Sequence, residues 1–313
     1  MQPPSAAELT SQTPLRPQEA RPDKGWRRTL LRASGGLMNP GLSATEQRRR
    51  EVMRRIAAPV DGCHRIAVIS LKGGVGKTTT TACLGLTLAH HRGDRVVALD
   101  ANPDSGTLAE RLVGQVSGSV GDLLAGADGV RSFTDMASYT ALAERLQVLG
   151  SQQEPEMSDA LDERSYRAVD ELLARFSTIV LVDCGTGLLH SAMTGILGLA
   201  DSLVVVAGPT VDGAGRAAKT LDWLVAHGHG NLVAESVALI NAVRPNTGGV
   251  NLQLLHNHFA TRCRSVVENP YDPHLATGGR VVRTELRRPT TDAYLAAAAA
   301  VAEGFAHPAA DTR

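Results

Sequence analysis

Residues 68–81, V-I-S-L-K-G-G-V-G-K-T-T-T-T, constrain this chain more than any other stretch. An apolar, β-branched run passes into a glycine-rich loop and then into threonines that open a helix. That order of strand, loop and helix is what a phosphate-binding loop requires. Gly73, Gly74 and Gly76, with Val75 between them, let successive backbone N–H groups curl around an anion, and the helix start adds the positive end of its dipole. Lys77 supplies a full charge, and the hydroxyl of Thr78 is placed to hold Mg²⁺ beside nucleotide phosphates. Where the general pattern begins on glycine the chain has Leu71, followed by an additional lysine, Lys72.

The text around the loop alternates in the same way. Apolar, β-branched runs predict strands over 65–70, 95–99, 146–149, 178–182, 202–207, 236–241 and 265–268. Helical patterns fall between them over 77–91, 107–112, 121–124, 160–176 with Ser158 ahead of it, 188–199, 213–227, 249–260 and 291–306. The stretch 126–142 supports no definite assignment. Continuous apolar strands separated by helices predict an α/β fold, a doubly wound and mostly parallel sheet with helices on both faces. In such a sheet ligands sit beyond the carboxyl ends of the strands. Four strand ends carry suitable groups: the loop at 72–79, Asp100 with Asn102, Asp183, and Asn241. Asp183 suits the second acidic position of an ATPase, where a carboxylate orders the Mg²⁺ shell, although an Asp ending a strand also serves an ordinary turn.

Ahead of the sheet the composition changes. Residues 1–60 hold eleven Lys/Arg against five Asp/Glu, a net +6, so in a chain whose charges sum to zero the rest carries −6. Prolines and a lack of large apolar residues predict a disordered basic tail over 1–41, with Lys24, Trp26, Arg27, Arg28 and Arg32 as a short basic-apolar patch. Ser43 and Glu46 form a capping-box pattern, and 42–62 reads as a basic leader helix and linker. The globular domain then runs over 63–307, and 308–313 are a C-terminal tail. Four scattered cysteines without a C-x-x-C pair point to reduced thiols rather than a zinc site. No apolar run reaches the roughly 18–20 residues of a membrane span, so no transmembrane segment is expected. A cytoplasmic location follows, with a peripheral position at the inner face of the membrane as a further option.

At Leu71 to Thr79 the chain resembles the MinD/ParA family of P-loop ATPases, which carry the deviant loop with two lysines. The resemblance implies ATP and Mg²⁺ as ligands. It puts the β- and γ-phosphates on Lys77, Mg²⁺ on Thr78, Asp100 and Asp183, and the α-phosphate on Thr79. Lys72 would reach the partner's phosphates across an ATP-dependent homodimer. Asn241, in A-L-I-N-A-V-R-P, would read the adenine edge, and the Pro270 to Asp272 loop would frame the base, although a structural turn explains that loop nearly as well. Softer segments extend the likeness to the EspI-like group of MinD proteins encoded with actinobacterial type VII (ESX) secretion systems. These are M-N-P-G-L-S-A-T-E-Q-R-R-R before the first strand, L-V-D-C-G-T-G at 181–187, V-D-G-A at 211–214 and Y-D-P-H-L-A-T-G-G at 271–279.

One position departs from the family pattern. The family has Asp-x-Asp after the second strand, and this chain has Asp100-Ala101-Asn102. An Asn carbonyl can orient a water but cannot accept its proton, which predicts nucleotide binding with slow turnover unless Asp104 substitutes. The expected function is a dimeric, ATP-dependent switch acting as an accessory ATPase of type VII secretion, reaching its machine or a membrane-associated protein through the basic tail. The alternatives are a ParA-like positioning ATPase that binds DNA through basic residues such as Arg280, Arg283, Arg287 and Arg288, and a binding module in which nucleotide is structural. Tyr294 to Phe305 is alanine-rich without Lys or Arg, so it predicts packing on the sheet rather than a membrane-surface helix.

Overall fold

The computed structural model describes residues 25–35, 37–102, 106–114, 118–151, 161–185, 187, 190–245 and 250–306. It divides at Val52–Met53 into an N-terminal unit and a main unit. The main unit holds the strands β1 (His64–Ile69), β2 (Val96–Ala101), β3 (Ala141–Ala143), β4 (Leu146–Leu149), β5 (Ile179–Cys184), β6 (Ser202–Ala207), β7 (Val237–Asn241) and β8 (Ser265–Asn269). They join one eight-stranded sheet in the order β3-β4-β2-β5-β1-β6-β7-β8, parallel at every pairing except β3 with β4. This is the α/β architecture expected from the alternating pattern.

Among the described residues the helices are α1 (Gly25–Ala33), α2 (Ala44–Ile56), α3 (Lys77–His91), α4 (Thr107–Leu112), α5 (Val120–Ala125), α6 (Phe133–Ala137), α7 (Glu163–Phe176), α8 (Ser191–Leu199), α9 (Val211–Ala226), α10 (Gly230–Ala234), α11 (Leu252–Ala260), α12 (Pro273–Ala276) and α13 (Arg288–Ala302). The strands β2, β5, β6 and β7 are buried at every residue, which is why their sequences run apolar without alternation. On one face Ala67, Ile69, Val97, Leu99, Val180, Val182, Leu203 and Val205 share a core with α7, α8, α9 and α11. Helices α3 and α13 cover the other face, α13 lying against β7, β8 and α3. Ten residues of α13 are buried, among them Tyr294 and the run Ala297 to Ala302, as its alanine-rich text predicted. Small residues let helices lie close. A Cβ on Gly85 of α3 would stand 2.9 Å from Leu146 Cδ2 of β4.

Two charged contacts fix β1 across the core. Arg65 Nε donates to both oxygens of the buried Asp170 on α7 at 2.8 Å, and its backbone N–H donates to Asp201 Oδ2. Burial pushes the Asp170 carboxyl up and the Arg65 guanidinium opposes it. Such a pair holds register, because removing either partner leaves a charge buried alone.

Several sequence expectations need correction. The tail expected to lack structure over 1–41 contains α1. No proline falls between Pro22 and Pro40, the segment is mostly Arg, Leu and Ala, and Arg27 Nη1 donates to the carbonyls of Pro40, Gly41 and Leu42, which closes the turn behind the helix. Residues 1–24 and 307–313 lie outside the described residues. The leader helix stands as α2, with Glu46 Oε2 accepting from the Ser43 N–H and the Ser43 hydroxyl bonding the Glu46 N–H. Helix α7 begins at Glu163, because Asp162 accepts from the Ser165 N–H and caps it; Ser158 lies outside the described residues. The unassigned stretch 126–142 forms a 3₁₀ turn, α6 and the start of β3, the last turning back onto β4 through Glu144 and Arg145, with Glu144 in the left-handed region at φ 54°. Three residues of strand are too few to carry a readable period.

Candidate nucleotide site

The site lies beyond the carboxyl ends of β1, β2, β5, β7 and β8, on both sides of β1, where the strand order reverses. Helix α3 opens immediately after the glycine loop. Its N-cap is Gly76, left-handed at φ 92°, ψ 34°, which has no side chain to cap the first-turn N–H groups. Only glycine fits that position, for a second reason besides φ: a Cβ there would stand 2.3 Å from Asn241 Nδ2. Asn241 donates through that nitrogen to the Val75 carbonyl at 2.7 Å and accepts from Asn269 Nδ2 at 2.7 Å. The ends of β7 and β8 therefore hold the loop from below. Gly74 is also left-handed, at φ 75°, and Lys77 is buried at 8% exposure where α3 begins.

Behind Lys77 two carboxyls face one another. Asp100 and Asp183 are register partners on β2 and β5, both buried. Asp100 accepts from the Asn102 N–H at 3.1 Å and from the Leu108 N–H at 2.9 Å, so it ties the loop after β2 and the start of α4. Asp183 Oδ1 accepts from Thr81 Oγ1 at 3.2 Å, while its Oδ2, equally buried, has no hydrogen-bond partner among the described residues. Burial, and then the neighbouring Asp183, push the Asp100 carboxyl up; burial pushes Asp183 up as well, against Thr78, Lys77 and Thr81, which favour its charged form. Two buried carboxyls with an orphaned oxygen, beside a threonine hydroxyl and a phosphate-type loop, form a donor set that suits a hard divalent cation.

The remaining predicted residues fall on the same rim. Lys72 Nζ is 2.6 Å from Asp212 Oδ2 in the first turn of α9, and Asp212 also accepts from Arg216 Nε at 3.1 Å. Asn102 lies half-buried beside Asp100; Asp104, its possible substitute, is outside the described residues. A cleft between the loop and β8 is lined by Gly76, Thr79, Asn241, Pro270, Tyr271 and Asp272. Asp272 Oδ1 accepts from the His274 N–H and Oδ2 from the Arg287 N–H, so its carboxylate shapes the loop that carries Pro270. Of the four arginines near the C-terminus, Arg283 pairs with Glu144, Arg288 with Asp292, and Arg280 donates to the Leu112 carbonyl.

Some residues of the site are absent from the sequence reading. Thr81 bonds Asp183, Asp212 holds Lys72, and Arg111 donates to Thr79 Oγ1 at 2.9 Å. Arg111 had a signal: it lies three residues after Leu108 and next to Leu112, on the buried face of α4, where a cation calls for a partner.

Comparison with known proteins agrees with this geometry. The profile described as "CobQ/CobB/MinD/ParA nucleotide binding domain" matches residues 66–262. ESX-1 secretion-associated protein EspI, from two strains of Mycobacterium tuberculosis, is 34% identical over 261 residues, which is 82% of this chain. The chain spans 39% of the length of those relatives. A ParA family ATPase from Chlorobium tepidum superposes with a TM-score of 0.64 at 18% identity, covering 76% of this chain and 98% of that one. Septum site-determining MinD from Pyrococcus horikoshii, solved with Mg-ADP, gives 0.60 at 22% identity, covering 79% and 98%. Among the described residues no helix is long and apolar enough to cross a membrane. With its glycine loop inside the matched region and its sheet on the same plan, this chain belongs to the MinD/ParA family of nucleotide-binding domains.

Proposed function

We propose that this chain is an ATP-binding switch that pairs with a second copy when loaded, hydrolyses slowly, and serves a type VII secretion machine as an accessory or regulatory ATPase. The observation that carries the reading is the glycine-capped start of α3 with Lys77 buried at its mouth and the orphaned Oδ2 of Asp183 behind it. In this assignment Lys77 holds the β- and γ-phosphates and Thr79 the α-phosphate. Thr78, Asp183 and Asp100 hold Mg²⁺, which when bound supplies charge neutralisation on the phosphates. Gly73 to Gly76 wrap the phosphates with backbone N–H groups. Asn241 and Pro270 bound the base, and Asp272 keeps their loop in shape. Asn102 orients water without taking its proton, so turnover is low. Lys72 leaves Asp212 for a phosphate held by the partner copy.

The secretion role rests on the likeness to the ESX-1 secretion-associated relatives, with the basic N-terminal segment as the contact to the machine or to a membrane-associated protein. The carboxylates already paired with Arg283 and Arg288 count against a DNA-binding surface there. Light-scattering mass measured without nucleotide, with ADP and with ATP, on wild type and Lys72→Ala, tests the switch. The expected result is doubling with ATP alone in wild type and none in the variant. ATP bound with no change of mass would reduce the protein to a binding module, and no ATP binding would end the reading.

A further inference from the structure

Among the described residues no carboxylate balances Arg111 at the site. It is 9% exposed, and among the described residues its guanidinium meets only neutral oxygens: Nη2 donates to Thr79 Oγ1 at 2.9 Å and to the Leu275 carbonyl at 3.3 Å, and Nη1 donates to the Gly279 carbonyl at 2.7 Å. Burial holds the guanidinium below its ordinary value, yet an arginine stays charged. A buried charge without a counter-charge is costly, and it sits one hydroxyl away from the cleft that Thr79 lines with Gly76 and Asn241.

A hydroxyl has two lone pairs and one proton. Because Arg111 occupies a lone pair of Thr79 Oγ1, the Thr79 proton is left to a different acceptor, and donation to the oxygen by a cation makes that proton a stronger donor. The same turn of α4 also anchors the segment after α12. The Val281 N–H donates to the Arg111 carbonyl at 2.7 Å, and Arg280 Nε to the Leu112 carbonyl at 2.9 Å. The far end of α4 is tied to Asp100 through the Leu108 N–H.

We infer that Arg111 is a phosphate-positioning residue: through Thr79 it presents a polarised hydroxyl proton to a nucleotide phosphate, and it ties that contact to the segment 275–281, whose Leu275 and Ala276 line the cleft. The inference rests on the proposed ATP site. A bound anion supplies the counter-charge that no described residue gives Arg111, so ligand binding tightens α4, Thr79 and 275–281 together.

The test is calorimetric affinity for ADP with wild type, Arg111→Met, Arg111→Lys, Thr79→Val and the double variant Arg111→Met/Thr79→Val. Removing the cation is expected to weaken ADP about tenfold or more, as for a hydrogen bond assisted by charge. Arg111→Lys recovers part of the loss. The double variant binds no more weakly than Thr79→Val alone, because the arginine acts through that hydroxyl; an arginine that only braces the fold would give losses that add. If Arg111→Met does not fold, Arg111→Lys and Arg111→Lys/Thr79→Val complete the same cycle. Wild-type affinity in Arg111→Met, or full additivity, overturns the inference while leaving the ATP site standing. Wild type that binds neither ADP nor ATP defeats the underlying reading, and this inference with it.

Discussion

Lys72 Nζ lies 2.6 Å from Asp212 Oδ2, which closes an ion pair between the glycine loop and the first turn of α9. Lys72 is about one-third exposed and Asp212 more than half, so water screens the pair. The lysine can therefore be taken by a stronger anion. Asp212→Asn is expected to lower the ATP concentration for half-maximal dimer by no more than about fivefold, the range of exposed pairs. Sedimentation across an ATP titration reads this; a rise in the required ATP would show that Asp212 assists the dimer instead of restraining Lys72.

Gly76 and Gly74 make a matched pair for substitution. Both are left-handed, but a Cβ on Gly76 meets Asn241 Nδ2 at 2.3 Å whereas Gly74 has open space around it. Gly76→Ala is expected to abolish ADP binding and to cost about 1–3 kcal/mol of stability, from strained φ together with the clash. Gly74→Ala keeps measurable binding, since it bears only the φ strain. Equal affinities in the two variants would mean that the Asn241 contact does not set the loop.

In the proposed function Asn102 limits the chemistry rather than the binding. Its backbone N–H is held by Asp100, so a carboxylate placed there by Asn102→Asp would stand beside the same cation position. Phosphate release is expected to rise by about tenfold or more in Asn102→Asp, the usual scale of an added general base, with ADP affinity near wild type. Wild-type release already at the level of this variant, and indifferent to Asn102→Ala, would sink the account.

His64 gives the fold a pH dependence distinct from the site. Its Nε2 lies 2.8 Å from Ser202 Oγ and its ring meets Phe305 edge-on at 4.8 Å. Burial first, then the cations Arg264, Arg65 and Arg92, pull its pKa from 6.5 to about 4. Between those values the unfolded chain binds a proton that the native chain does not. The His64 contribution to stability is thus complete above pH 6.5 and falls as pH drops toward 4, by up to about 3 kcal/mol. The difference in denaturant midpoint between wild type and His64→Gln, followed from pH 7 to pH 4, should show that slope, because the opposing change from the raised Asp100 and Asp183 carboxyls is common to both proteins.

The central strands were legible because burial on both faces leaves a continuous apolar run, as in Ile179–Cys184 and Ser202–Ala207. The glycine loop was legible because its residues each have a separate physical task. What escaped has its cause in distance along the chain. Arg111 finds Thr79 and Gly279, and Lys72 finds Asp212, and no local pattern records either meeting. Helix α1 escaped because proline-rich flanks masked a short stretch of helix formers whose closing contact is a side chain reaching carbonyls thirteen to fifteen residues on. Asp272 was legible only as a loop feature, since both its oxygens turn toward backbone donors that sequence does not place.

The three-residue strand β3 runs against its neighbour at one margin of an otherwise parallel sheet, and it turns back within two residues. A foreign strand arriving there finds too few free amides and carbonyls to zip onto, so this border is closed to edge-wise recruitment and to fibre growth.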